Sequence, residues 1–180
     1  MNKQIFFLVG LIGALAFTGC QKDFEEINTN PNEPTSVSPG FLLTNAQKSI
    51  MDRVYDSFWG SRRAMQTAQY WSSNQYSNES RYQYRETTAN GAWASFYAGP
   101  LQDLQTIIDL NSGDNAADYV GYGDNGNQIA VAKILQAWTF QHLTDAFGDI
   151  PMSAALQGGE DKAPAYDSQA DVYTGLLTLL

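Results

Sequence analysis

The stretch Gln128–Pro151, QIAVAKILQAWTFQHLTDAFGDIP, decides the fold, because nowhere else do apolar residues recur at helical spacing for so long. Val131, Ile134, Leu135, Trp138, His142, Leu143, Ala146 and Phe147 succeed one another in three- and four-residue steps, the stripe that a 3.6-residue period requires. Ala130, Ala132 and Ala137 keep the remaining surface thin. A helix that is apolar over most of its circumference must be packed on more than one side, so it belongs at the centre of an all-α layer. The spacing predicts a helix over 128–147, with Asp124, Asn125 and Asn127 offering oxygens to the first-turn amides. Gly148 suits the left-handed residue after the last turn, and Pro151 forbids continuation.

The end of this helix, AFGDIPMSAAL at 146–156, resembles the Phe-Gly-Asp-(Val/Ile)-Pro turn that closes a long helix in the SusD/RagB family of nutrient-binding outer-membrane lipoproteins. Two further segments resemble the same family. Asp23-Phe24-Glu25, Asn28-Thr29-Asn30-Pro31-Asn32 and Val37-Ser38-Pro39 are similar to the segment that opens many mature SusD-like chains. Trp93, followed four residues later by Tyr97 and then by an apolar seam ending in Ile107-Ile108, is the other. The resemblance implies stacked antiparallel helix pairs of tetratricopeptide-like form with long irregular loops. It also implies capture of an oligosaccharide or similar nutrient for a TonB-dependent, SusC-like outer-membrane transporter.

Upstream, Lys3 provides a basic start, Ile5–Phe17 a run of small or apolar side chains, and Thr18-Gly19-Cys20 a small-residue cleavage site. Residues 1–19 therefore read as a secretory signal, too short to span a bilayer as a stable helix. A Cys directly after the cleavage site is the lipid-acceptor pattern of a bacterial lipoprotein, although Phe17 stands where Leu is usual. Cys20 is the only cysteine; the alternative is a secreted protein with one unpaired thiol. Gln21–Glu26 resembles the acidic tether of surface-exposed lipoproteins, or is a solvated linker. The expected organisation is a signal peptide at 1–19, a lipidated tether and extended linker at 20–38, and a helical domain over 39–180. The expected location is the outer membrane, lipid-anchored and facing the cell exterior.

Residues 1–19 carry one charged side chain, Lys3, so their removal takes the formal charge from −9 to −10. Nucleic acid is excluded as a partner, since its binding depends on clusters of Lys and Arg, and those here are few and scattered. With 43% hydrophobic residues, the chain has enough apolar surface for a core.

Ser38 and Pro39 open a helix expected over 39–58, with Leu42, Leu43, Ala46, Ile50, Val54 and Phe58 on one face. A second helix is expected over 61–71 on Ala64, Met65, Ala68 and Tyr70-Trp71, which would place Arg62-Arg63 unfavourably at its positive end. A third, over 87–110, carries Ala92, Trp93, Phe96, Tyr97, Leu101, Leu104, Ile107 and Ile108 in register. Gly99-Pro100 either kinks it or begins another helix. Trp93 and Tyr97 fit the core. The last helix starts at Ser168, with Asp171 three residues on, and its stripe of Val172, Tyr173, Leu176, Leu177 and Leu180 has no closing cap. That pattern is the one expected of the amino-terminal part of a longer chain, in which the last two helices keep partly uncovered faces.

Trp71–Arg85, WSSNQYSNESRYQYR, has no helical period and interleaves Trp71, Tyr76, Tyr82 and Tyr84 with Asn, Gln, Ser and Arg. Flat rings stack on the apolar face of a pyranose while amide and guanidinium groups bond its hydroxyls. Either these four residues line part of a ligand cleft, or the tyrosines pin the loop to the helices. The loop 111–127 holds Asp114, Asp118 and Asp124 but lacks the oxygen ladder of a calcium site.

No acid–base pair, nucleophile elbow or Cys/His cluster is legible, so neither catalysis nor a cofactor or metal is expected. His142 reads as a core imidazole, and Asp145 and Asp149 as carboxylates that order the turn after the central helix. Two functions compete: a surface lipoprotein capturing a glycan for a transporter, and a helical-repeat scaffold that binds protein partners only.

Overall fold

The computed structural model describes residues 37–83, 85–158 and 163–180. The expected signal peptide, Cys20, nearly all of the tether and Tyr84 lie outside the described residues. Helix α1 spans Pro39–Val54, α2 Glu86–Phe96, α3 Gln102–Ser112, α4 Asn125–Phe147 and α5 Gln169–Leu179. Among the described residues there is no strand; Ile150 and Asp167 form an isolated antiparallel bridge, exchanging amide-to-carbonyl bonds of 3.2 and 3.0 Å. The fold is all-α.

Helix α1 ends at Val54 and not at 58, because Asp56 starts a new helix. Its Oδ1 accepts from the amide of Phe58 at 2.8 Å and from that of Trp59, capping Ser57–Gln66. This segment is wound wide: the amide of Ser61 bonds the Asp56 carbonyl five residues back, at 3.0 Å. The chain doubles back so closely that any Cβ on Gly60 would collide with the Val54 carbonyl. The expected 61–71 helix is thereby replaced. Trp59 goes into the core, whereas Ala64, Ala68, Tyr70 and Trp71 are exposed. Arg63 falls in the last turn, where a cation is favoured, and not in the first.

Of the two outcomes expected at Gly99-Pro100, a kink or a new helix beginning at Pro100, the second does not occur. A wide turn, Tyr97–Leu101, joins α2 to α3 with Pro100 buried inside it. Proline lacks an amide and crowds the carbonyl four residues back, so a locally expanded winding accommodates it without breaking the rod. Helix α1 runs antiparallel to this rod: Arg53 Nη2 donates to Ser95 Oγ and Asn45 Nδ2 to Asp103 Oδ2, both at 2.7 Å.

Helix α4 lies antiparallel to α3, since Asn111 Nδ2 reaches Gln128 Oε1 at 3.5 Å and Gln136 Nε2 donates to Gln105 Oε1 at 3.2 Å. Helix α5 returns along α4. Gln169 Nε2 donates to the Thr144 carbonyl at 2.9 Å, and at the far end Leu179 shares a cleft wall with Gln136. Asp124 caps α4 by accepting from the Asn127 amide at 3.0 Å, and Gly148 closes it with φ +80°. Ser168 caps α5 as expected, accepting from the Asp171 amide at 3.2 Å.

The buried arc of α4 differs from the expected stripe. Ala132, Gln136, Ala137, Thr139, Phe140, Leu143 and Thr144 face inward, while Val131, Ile134 and Trp138 are 39%, 54% and 39% exposed. Apolar residues on all sides leave the period silent about which arc meets the neighbours. Small residues on the inner arc let helices approach closely. Both threonines tolerate burial because their hydroxyls donate to carbonyls of Leu135 and Gly148, each at 2.7 Å. Two core clusters result: Ala46, Ile50, Leu104, Ile107 and Ala132 between α1, α3 and α4, and a larger one built on Trp59, Phe96, Leu101, Phe140, Leu143, Ile150 and Val172. Among the described residues no helix is long and apolar enough to cross a membrane.

Candidate functional site

The loop after the wide helix is held from beneath by polar anchors. Gln66, 7% exposed, accepts from Ser80 Oγ at 3.1 Å, and Gln69 Nε2 donates to the Ser80 carbonyl at 3.0 Å. Glu79, 5% exposed, accepts from Arg85 Nε at 2.9 Å through Oε1, while its buried Oε2 has no hydrogen-bond partner among the described residues. These contacts fix the short turn Glu79–Arg81 against Ser57–Gln66.

With its base anchored in this way, the loop leaves its rings outside. Trp71, Tyr76 and Tyr82 are 56%, 62% and 68% exposed. The Arg62 guanidinium lies 4.6 Å from the Tyr76 ring centroid and 4.8 Å from that of Phe58, so two aromatic faces sandwich one cation. Tyr82 borders a small cavity of about 80 Å³ with Arg63, Thr67, Gln83 and Arg85. Tyr76 and Tyr82 both adopt left-handed backbone, at φ +53° and +56°. For bulky residues this conformation is costly, and glycine would take it without strain.

Of the four expected site residues, Trp71, Tyr76 and Tyr82 are each exposed, Tyr76 against Arg62 and Tyr82 at the small cavity, and Tyr84 lies outside the described residues. Phe58 and Arg62 join Tyr76 unforeseen: the apolar stripe expects Phe58 on the face of α1 and Arg62 at a helix start. The signal that locates both is Asp56 two and three residues before Phe58 and Trp59, a capping spacing that moves the helix start forward.

Elsewhere the expected polar residues serve the core. His142 Nε2 accepts from Trp59 Nε1 at 2.9 Å, and its ring stacks on Trp138, centroids 5.8 Å apart. Burial lowers its pKa, against a smaller opposing pull from Asp145. Asp149 accepts from the Gln169 amide at 2.9 Å, as a turn-ordering carboxylate should, whereas Asp145 accepts from the Tyr173 hydroxyl at 2.6 Å. The turn itself is organised by Asp167, which sequence reasoning did not single out. Its carboxylate takes the Met152 and Ser153 amides at 2.8 and 2.7 Å and Ser153 Oγ at 2.6 Å, and these bonds outweigh desolvation to hold its pKa below the usual value. Among the described residues, no three His, Cys, Asp or Glu side chains gather as metal ligands.

The architecture is an all-α stack of antiparallel helices whose surface carries Arg62 between the rings of Phe58 and Tyr76. The chain belongs to the SusD-like family: residues 31–180 match the family model described as "Starch-binding associating with outer membrane". No curated protein matches the chain.

Proposed function

We propose that this protein captures a glycan, most directly an oligosaccharide, at the outer membrane and passes it to a TonB-dependent transporter. In this reading Cys20 carries the lipid anchor, residues 20–38 form the tether, and the helical domain faces the cell exterior. Loop 71–85 lines the ligand cleft, with Trp71, Tyr76, Tyr82 and Tyr84 as its rings. The observation that carries it is the stacking of Arg62 on Tyr76 and Phe58, with Trp71 and Tyr82 of the same loop also exposed, in a chain of the SusD-like family. Ring faces meet the CH face of a pyranose, and the guanidinium meets its hydroxyls. The left-handed backbone of Tyr76 and Tyr82 adds support, since strained conformations at bulky residues cluster at ligand sites.

The test is glycan affinity of the full protein beside its melting temperature. Tyr76→Ala with Tyr82→Ala should weaken maltooligosaccharide binding by about 1 kcal/mol or more per ring, with melting nearly unchanged. A fall in melting temperature with affinity intact would mean that the rings only tie down the loop. Cys20→Ser should release the protein from membranes; undiminished fractionation with them would remove Cys20 as the anchor.

A further inference from the structure

A cleft of about 530 Å³ opens between α3, α4, α5 and the turn after Pro151, and among the described residues none that lines it belongs to loop 71–85. Its α3 wall is Gln102, Gln105 and Asp109, whose three- and four-residue spacing puts them on one helix face. Facing them on α4 is Gln136, only 3% exposed and on the inner arc, where an apolar side chain would fill the space without desolvating an amide. These groups are ordered in series. Gln136 Nε2 donates to Gln105 Oε1 at 3.2 Å, and Gln105 Nε2 donates to Asp109 Oδ1 at 2.8 Å.

Each amide has two donor hydrogens and two acceptor lone pairs, so after this chain Gln105 still offers one of each and Asp109 a second oxygen. Met152, Leu156 and Leu179 form an apolar side of the same cleft. Among the described residues no Lys or Arg lines it, and Asp109 sets a negative charge at its rim, which disfavours an anion. Vicinal hydroxyls suit such a wall, one donating to a carboxylate or amide oxygen while the next accepts from an amide N–H. The volume falls within the range of roughly 300–1,000 Å³ usual for small-molecule sites.

We propose that this cleft is a second binding site, separate from the aromatic loop, for a neutral polyhydroxylated ligand of one or two sugar rings. It stands on its own residues and draws on the proposed function only for the choice of probes.

Two methionines make the sites separately visible. Met152 lines the cleft, while Met65 lies at the base of the loop, its carbonyl accepting from the Tyr70 and Trp71 amides at 3.0 and 3.3 Å. With ¹³C-methyl methionine in the full chain, maltotriose, cellobiose and xylobiose are titrated separately. The expected result is a saturable shift of the Met152 methyl with at least one sugar, retained in Tyr76→Ala/Tyr82→Ala. In Gln102→Ala/Asp109→Ala the affinity should fall at least tenfold, with melting temperature as the control for folding and Asp109→Asn as a conservative second variant. The proposal is overturned if Met152 stays still with all three sugars, if its shift disappears in the loop variant, or if the cleft variants bind unchanged. Failure of the loop reading would instead appear as unchanged total sugar affinity in Tyr76→Ala/Tyr82→Ala with the Met152 shift retained.

Discussion

The Tyr97 hydroxyl donates to the Pro151 carbonyl at 2.6 Å, joining the wide turn between α2 and α3 to the turn that ends α4. Near this bond Trp93 meets Phe147 in a T-shaped contact at 5.2 Å and stacks on Tyr166 at 5.9 Å, while Trp59 stacks on Phe147 at 5.3 Å. The Trp93-x-x-x-Tyr97 spacing and the Phe-Gly-Asp-Ile-Pro turn are thus two halves of one clamp. Burial, with Tyr166 and Asp167 adding to it, pushes the Tyr97 phenol far above its usual value, so it remains a donor throughout the neutral range.

Tyr97→Phe should therefore lower stability by about 1–2 kcal/mol, because it leaves the carbonyl of buried Pro151 without its donor. Tyr166→Phe, at an exposed position, should cost little. Thermal unfolding of the two variants compares them directly, and equal melting temperatures would contradict the clamp.

His142 makes stability depend on pH. Its Nε2 must be unprotonated to accept from Trp59, and its folded pKa lies below the ordinary 6.5. The unfolded chain then takes up the proton first, so this contribution is complete above 6.5 and is lost as pH falls toward the folded value. Urea unfolding between pH 5 and pH 8 should show stability rising with pH over the lower part of that range. In His142→Gln, which retains an acceptor, this part of the slope should flatten; an unaltered profile would assign it to other groups.

Leu143 is fully buried and Ile134 is 54% exposed, although both belong to the same apolar repeat. Leu143→Ala should cost about 2–5 kcal/mol through the cavity it leaves, whereas Ile134→Ala should change stability by about 0.5 kcal/mol or less. Comparable losses would restore the arc that periodicity suggested.

The loop anchor is asymmetric. Removing Arg85 strands a Glu79 carboxylate that is 5% exposed, whereas Glu79→Gln removes the charge and keeps a hydrogen-bonding group. Arg85→Met should destabilise the loop by about 3 kcal/mol and Glu79→Gln by about 1 kcal/mol. Amide hydrogen exchange across 71–83 reads both, and faster exchange in the Glu79 variant would reverse the assignment.

Much of this could be read from the chain alone. Caps at Asp124 and Ser168, Pro39 at a helix start and Gly148 at a helix end act within a few residues, so local chemistry sets the ends of α4, the starts of α1 and α5, and the all-α class. The resemblance carried by the Phe-Gly-Asp-Ile-Pro turn led to the family to which the chain belongs. A loop rich in rings and amides was visible as composition, and so was the unusual presence of exposed-type residues in it.

Other features depended on contacts between distant segments. Periodicity names the apolar residues of α4, but only the positions of α1, α2, α3 and α5 determine that Ala132, Gln136 and Thr139 are covered while Ile134 is left at the surface. Arg62 became a bridge between Phe58 and Tyr76 because a wide helix and a loop fourteen residues further on meet, and Gln136 met Gln105 because two helices run antiparallel. Hydrogen bonds and helical period act over three to five residues and are written in the chain. Which face is buried, and which polar groups share a cleft, is decided by packing between elements whose separation in sequence carries no such signal.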